Sequence, residues 1–560
     1  MRDPRLTPTE ARAQDVALVA QCSFEGLRDR LPFLWPVPDD VPPSPKKSYR
    51  SHYVYRGWED LEDLAQWEHL SEFDLLLRLI DFSPLRDVLA QRLGWTSARG
   101  HVPFDPVSIF LLIGWRIVNG WSRSQLLKTL RDPRYADYAR LFGFEDGVPT
   151  EGGLRYWLTA LGRHSQNGDT VTVKVDEEKL QQVAMEYLND LVAQSVALLL
   201  DIGFITSEAW EEALICPDGM IHDAASRLNC GCVTDACYQP TSPDDPRPCL
   251  AKEKNLRGCD CDTVDCAAIC RRATPRDPEA RFVRYRGSNQ PDAGDEDGDA
   301  NKGEPHYGYL SLPLLLADPA RRFHIILADH FSAASARQEV PFAAQLLQLS
   351  SLYPTLHIKD VVGDAAFGYS CVLRIVHEVL EARRVIDLRA HQTDRDKALW
   401  PLRGYDDKGR PLCAFGYPFT SNGFDFGKHR HKWFCRRVCQ KEGQPVVAIE
   451  DLPEHPSECP HLHTNTDYGQ IINVGFAFEN DGSCRLVRDV AVGSPTWKRL
   501  YHRARNASES RNATLQRWRL KRLPVYGEPR GKAFIFLADV WSNLTTLARL
   551  VREATAATGA

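Results

Sequence analysis

Three acidic residues stand where carboxylates could meet. Asp218 follows the apolar run ALICP in PDGMIHDAAS, Asp364 follows KDVVG in GDAAFGY, and Glu509 lies in the helix-like stretch YHRARNASESRNATLQRW. Carboxylates at the carboxyl ends of adjacent strands, joined by one on a nearby helix, can hold two divalent cations about 3.5–4 Å apart for in-line phosphodiester chemistry. Hard oxygen donors of this kind select magnesium or manganese. The competing reading is local: an Asp after a strand can simply cap the next helix. Asp223, in HDAAS, and Asp201, at the end of another apolar run, compete with Asp218 for the first position.

The surroundings of Glu509 favour phosphate. Between Lys498 and Lys532 there are eleven Lys and Arg against two acids, Glu509 and Glu528, a local excess of nine positive charges in a chain whose formal net charge is -6. Arg503, Arg505, Arg511, Arg517, Lys521 and Arg522, interleaved with Trp497, Tyr501, Trp518 and Tyr526, form a candidate surface for the DNA backbone. A solvated basic helix face is the alternative. The overall acidity excludes a uniformly basic nucleic-acid coat, so the positive charge acts locally.

The 16 cysteines are concentrated rather than spread. Cys259, Cys261, Cys266 and Cys270 could supply a four-thiolate zinc site, although they lack the paired CxxC spacing, and Cys230, Cys232, Cys237 and Cys249 lie in the same stretch. Cys413, Cys435, Cys439 and Cys459 could form a second zinc site, with His461 as a substitute ligand. Zinc would give segments poor in apolar residues the folding energy that their core cannot. Unligated or redox-active thiols are the alternative.

The elements that must position these groups follow from the apolar pattern. With 560 residues, 43% hydrophobic and 26% charged, most of the chain can bury a core. Residues 1–57 read as an extended arm or linker, and 58–165 as an all-helical domain with N-caps at Ser122 and Thr150, open to DNA binding through a helix-turn-helix or to a generic bundle. A long helix is expected from about Asp176 to Leu200. Apolar runs then alternate with helices, the pattern of an α/β domain. Strands are expected at ALIC before Pro217, 307–316, 322–329, 357–363 and 383–388, with helices at 343–353 and 369–382. Thus 176–391 reads as the first part of a core carrying a cysteine-rich insertion at 228–304. Residues 392–484 read as a second insertion, and 485–560 as the second part of the core with the Glu helix and a final amphipathic helix packed on the sheet. The amino terminus has no signal-peptide pattern and no run of 18 apolar residues occurs, so a soluble cytoplasmic protein, without a membrane partner, is expected. In that setting the Asn-x-Ser/Thr matches at Asn506, Asn512 and Asn543 are chance.

The order PDG, GDAAFGY and R-x3-E, followed by GEPRGKAFIFLADVWSNL, resembles the DDE transposases of bacterial insertion sequences. PFDPVSIFLLIGW, RLFGF and VPTEGGLRYWL are similar to the helical front end common in that family, and YGYLSLPLLLAD with AASARQEVPFAAQLL to its second and third core strands and the next helix. The resemblance covers most of the chain outside the cysteine-rich stretches. It implies an RNase H-like core, with Asp218, Asp364 and Glu509 as ligands of the catalytic Mg2+ or Mn2+ and double-stranded DNA as partner. It also implies cleavage at the element's ends, strand transfer into target DNA, and a dimer or higher assembly that brings two ends together. Arg505 matches the family's Arg four residues before the Glu. The Tyr expected three residues before that Arg is His502 here, with Tyr501 displaced by one, and Arg517 or Lys521 stands near the family's downstream Lys. A metal-dependent nuclease on the same fold, and a non-catalytic zinc-dependent DNA-binding protein, are the alternatives.

Overall fold

The computed structural model describes residues 30–55, 57, 70–95, 97–145, 147–163, 170–175, 179–226, 277–285, 304–317, 324–387, 402–406, 410–413, 415–428, 430–435, 471–475, 489–490 and 495–558. A short parallel pairing of β1 (Phe33–Leu34) with β2 (Ile80–Asp81) ties the amino-terminal segment to a helical unit. That unit comprises α1 (Glu72–Leu79), α2 (Leu85–Arg92), α3 (Pro106–Val118), α4 (Arg123–Leu130), α5 (Ala136–Leu141) and α6 (Glu151–Arg163). Its helices start where side chains can satisfy the first free amides. Ser71 caps α1 in a reciprocal box with Asp74, Asp105 accepts from Val107 N at the start of α3, and Ser122 caps α4.

The helix expected from Asp176 does not begin there. Instead β3 (Thr170–Lys174) and β4 (Leu180–Ala184) pair antiparallel, and among the described residues helix begins with α7 (Asn189–Asp201). The β-branched alternation TVTVKV fits a pleated strand better than a helix, which is the physical reason for the difference. After the short helix α8 (Ser207–Glu211) the chain enters the central sheet through β5 (Ala213–Pro217), which continues beyond Asp218 and Gly219 as β6 (Met220–Asp223).

The strand expected over 307–316 is likewise two strands. After β7 (Arg281–Tyr285), β8 (Glu304–Ser311) and β9 (Leu314–Ala317) are separated at Leu312 and Pro313, where proline has no amide to give to a ladder. β10 (His324–Ala328) and β11 (Phe331–Ala333) repeat the break at Asp329 and His330. A three-stranded antiparallel meander therefore passes through two sheets: β5, β9 and β10 in one, β6, β8 and β11 in the other, with β7 added to β8. β7 falls inside the expected first insertion, so Arg281–Tyr285 of that segment belong to a sheet.

The chain then forms α9 (Glu339–Leu352), β12 (Ile358–Gly363), α10 (Ser370–Arg374), a π-helical turn at Ile375–Val379, and β13 (Arg383–Ile386). β12 pairs parallel with β5 and with β13, giving the strand order β10-β9-β5-β12-β13. The fold is thus mixed α/β. Beyond it, β14 (Leu402–Tyr405) pairs with β15 (Pro411–Cys413), and β16 (Thr420–Asp425), β17 (Arg430–Phe434) and β18 (Ile471–Gly475) form a small antiparallel sheet within the expected second insertion.

Two long helices close the molecule, α11 (Pro495–Arg517) and α12 (Glu528–Thr558). The sequence predicts α12 to be amphipathic and to lie on the sheet. Instead every side chain from Ala533 to Ala548 is buried, because α12 is sandwiched between the sheet and the helical unit. Its polar residues find partners inside: Asn543 bonds the backbone of Ile326 and Ser195 Oγ, and Asp539 bonds Arg511. Gly114 and Gly162 allow the approach on the other side. A Cβ on Gly114 would lie 2.0 Å from the Trp541 ring, and one on Gly162 1.8 Å from Pro529 O. Trp541 packs on Phe73, Phe82 and Phe110, so one continuous apolar core serves both the helical unit and the sheet. The expected boundary near residue 165 is therefore not a packing boundary. No helix among the described residues is long and apolar enough to cross a membrane.

Candidate active site

Asp218 and Asp364 arrive at the site by the same construction. β5 and β12 are adjacent and parallel, and each is followed at its carboxyl end by one of the two acids. Asp218 N bonds Pro313 O at 3.3 Å, which holds the acid at the gap between the two sheets. Asp364 Oδ1 accepts from Ala366 N at 2.8 Å and so caps a short 3-10 turn. The capping role is therefore real, and it fixes the carboxyl group at the strand end.

α11 brings the third group. Trp497, Leu500, Ala504, Ala507, Ser508, Arg511, Thr514 and Leu515 are buried at helical spacing against the sheet. Cys216 Sγ lies 3.5 Å from Ala504 O, fastening β5 to the helix. Tyr501, Arg505, Ser508, Glu509 and Asn512 follow one another at spacings of four, three, one and three residues, so they share a face of α11. Asn512 Nδ2 donates to Asp218 Oδ2 at 2.6 Å, linking residues 294 apart in the chain. Ser508 lies beside the Asp218 carboxyl and donates its hydroxyl to Arg505 O at 2.9 Å. Glu509 is exposed and accepts from Arg505 Nε at 3.0 Å.

The electrostatics match a site awaiting positive charge. Burial pushes the Asp218 carboxyl up to about 6, with the negative charge of Asp364 adding to the rise and Arg511, Ser508 and Arg505 opposing it. Asp364 stays exposed at the strand end, yet the protein packed around it raises its carboxyl and Asp387 adds to the effect, while the bond from Ala366 N and the charge of Arg505 work against it. Asp387 directly follows β13 and its amide bonds Gly363 O at 3.0 Å, so a further carboxylate stands at the end of the neighbouring parallel strand. Tyr501 stacks on Trp497 at 4.3 Å, and its hydroxyl is raised by burial and by Asp364 and Asp387, with the charge of Arg505 opposing. Tyr501, rather than exposed His502, thus faces the acids.

Sequence reasoning does not find Asp387, Ser508 and Asn512. Asp387 has a signal, because it ends the apolar run RRVI just as Asp364 ends KDVVG. Ser508 and Asn512 carry none, since their partner is distant in sequence. Among the described residues no group of three or more His, Cys, Asp or Glu is already disposed to hold a metal ion. The charge of Asp364 reaches Asp218, whereas Glu509 is turned to Arg505. The donors nevertheless fit a hard divalent cation: they are carboxylate oxygens, two of them raised by desolvation and by their neighbours' negative charge.

The two alternatives for the first acid have different surroundings. Asp223 is engaged by His306 Nδ1 at 2.8 Å, and its backbone pairs with the segment after α11, through its amide to Lys521 O and from Leu523 N to its carbonyl. Asp201 is the last residue of α7.

The basic segment divides. Arg503, Arg505, Arg517, Lys521 and Arg522 are exposed, and Arg522 donates to Ala225 O. Arg511 does not belong with them. It is fully buried and bonds Asp329 at 3.1 Å, Asp539 at 2.8 Å and Ser311 Oγ at 2.9 Å, so it is a core cation and not a DNA contact. Of the expected zinc ligands, Cys413 ends β15 and Cys435 follows β17, both half-buried. Cys259, Cys261, Cys266, Cys270, Cys439 and Cys459 lie outside the described residues. No family model, curated protein or solved structure matches the chain.

Proposed function

We propose that this chain is a DDE-type transposase that cuts DNA at the ends of its own element and joins them to target DNA. The observation that carries this reading is the convergence of Asp218 and Asp364, at the ends of adjacent parallel strands, under a helix that bears Glu509 and an exposed basic face. A meander of three antiparallel strands followed by two parallel strands, with acids after the first and fourth, supports an RNase H-like reading of the sheet.

In this reading Asp218, Asp364 and Glu509 hold the divalent cations. When bound, these supply Lewis acidity to an in-line displacement at phosphorus, first by water and then by the freed 3′-hydroxyl. Arg505 exchanges its bond to Glu509 for a phosphate, and Tyr501 orients it from one turn away. Arg503, Arg517, Lys521 and Arg522 hold the DNA backbone by charge, independently of sequence. Two DNA ends joined in one event call for a dimer or larger assembly. Zinc in the cysteine-rich stretches, with Cys413 and Cys435 among its ligands, belongs to the same proposal, as does a cytoplasmic, DNA-associated location.

Short inverted repeats flanking the gene would supply the substrate. An oligonucleotide ending in that repeat with a free 3′-hydroxyl is incubated with the protein, Mn2+ and plasmid. The expected outcome is a covalent oligonucleotide–plasmid product. Cutting without joining would identify a nuclease on the same fold, and binding with neither would identify a DNA-binding protein.

A further inference from the structure

Asn512 presents two different atoms to the site. Its Nδ2 is committed to Asp218 Oδ2 at 2.6 Å, whereas its Oδ1 is buried and has no hydrogen-bond partner among the described residues. An amide carbonyl oxygen removed from water and left unpaired is costly, and such a group persists where something else offsets the cost. Turning the amide over would not help. It would set Oδ1 against Oδ2 of an ionised Asp218, two acceptors facing each other. The orientation that leaves Oδ1 unpaired is therefore imposed by Asp218 itself.

The neighbourhood defines what the oxygen could take. Asn512 is one turn beyond Glu509 on the face of α11 that also carries Arg505 and Ser508, and the charge of Arg505 reaches both Asp218 and Asp364. Arg505 is bonded to Glu509, and Arg511 directs its Nη2 to Asp329, Asp539 and Ser311. A neutral carbonyl oxygen beside a desolvated carboxylate is a usual component of hard-cation sites, where carbonyl and carboxylate oxygens ligate together.

We propose that Asn512 is a further cation-binding residue of this site, giving its Oδ1 to the divalent ion that Asp218 holds while its Nδ2 fixes the Asp218 carboxylate. This rests on the metal-dependent reading above and adds to it a ligand outside the two Asp and one Glu. The amide also explains why the acids need not be fully assembled beforehand: one end of the ligand set, Asp218 with Asn512, is already built.

The test is Mn2+ binding to the full-length chain, followed by the electron paramagnetic resonance signal of free Mn2+, for the wild type and for Asp364→Asn, Asn512→Ala and Asn512→Asp, with a thermal melt of each. The wild type is expected to bind and Asp364→Asn to lose that binding. Asn512→Ala should raise the dissociation constant about tenfold or more. Asn512→Asp keeps an oxygen but loses the amide donor, and should bind Mn2+ at least as tightly as the wild type. Wild-type affinity in Asn512→Ala overturns the proposal. So does an Asn512→Asp variant as weak as Asn512→Ala, because Asn512 would then act only by positioning Asp218. Asn512→Asp carries the test alone if Asn512→Ala does not fold. Failure of the wild type itself to bind Mn2+ is a different result, and removes the metal-dependent reading together with this one.

Discussion

At the scale of single residues, the site holds a carboxylate at a cost to stability. A carboxyl group raised on folding favours its neutral form, so its ionisation destabilises the folded state. Asp218, pushed up to about 6 by burial, therefore leaves stability intact below about pH 4 and removes it as pH rises through about 6. Asp218→Asn should stabilise the cation-free protein by about 1–2 kcal/mol at pH 7 and by nothing at pH 4, while abolishing DNA cleavage. Urea denaturation at the two pH values checks this, and a variant less stable at pH 7 would be incompatible with the account. Arg505 acts in the opposite sense. It neutralises Glu509 in the cation-free state, so Arg505→Ala should tighten Mn2+ binding several-fold at pH 8, where the acids are ionised, and weaken DNA binding. Unchanged Mn2+ affinity would show that the pair with Glu509 does not compete with the cation. Asp218 and Asp364 are legible in the sequence because strand ends leave a signature in the apolar pattern. Asn512 is not, because a bond spanning 294 residues leaves no local trace.

At the scale of elements, α11 separates two kinds of arginine that the sequence cannot tell apart. Arg511 reads as one more cation in a basic stretch until Asp329 and Asp539, from the sheet junction and from α12, are seen to close on it. Its removal would leave buried carboxylates uncompensated, so Arg511→Ala should cost about 3–5 kcal/mol of folding stability. Arg503→Ala, Arg517→Ala and Lys521→Ala, on the solvent face, should each stay within about 0.5 kcal/mol of the wild type. Each should also reduce the slope of log affinity for DNA against log salt by about 0.9 for every phosphate that it no longer neutralises. Denaturation and DNA binding at several salt concentrations measure both. An Arg511→Ala variant of full stability, or surface variants with an unchanged salt slope, would break the division. The pairing of β3 with β4 escapes sequence reasoning for a related reason: a short alternation of strand residues is a weak signal beside a long neighbouring helix.

At the scale of the whole molecule, α12 makes the helical unit and the sheet interdependent. Its sequence, AFIFLADVWSNLTTLA, carries five polar residues and therefore looks amphipathic. Only the assembled structure places Asp539 and Asn543 against buried partners and lets apolar residues on every side reach the core. Gly114 and Gly162 serve the same close packing, since any side chain there would meet Trp541 or Pro529. A fragment of residues 1–165 thus lacks the element that completes its core. It should fail to unfold cooperatively, whereas the full chain should lose the helical unit and sheet in one transition. Circular dichroism melts of both check this. A fragment that melts sharply by itself would make the helical unit an independent domain. Gly114→Ala, which drives a methyl group into Trp541, should destabilise both parts by about 1–3 kcal/mol.

The central claim is that Asp218, Asp364 and Glu509, brought from three distant parts of the chain, surround one divalent-cation site. Fe2+ substituted into that site and driven with ascorbate and peroxide generates hydroxyl radicals that cut the polypeptide beside the ion. Mass spectrometry of the fragments should locate cuts near residues 218, 364 and 509 together, suppressed by excess Mg2+ and lost in Asp364→Asn. Cuts confined elsewhere, or insensitive to both Mg2+ and Asp364→Asn, would contradict it.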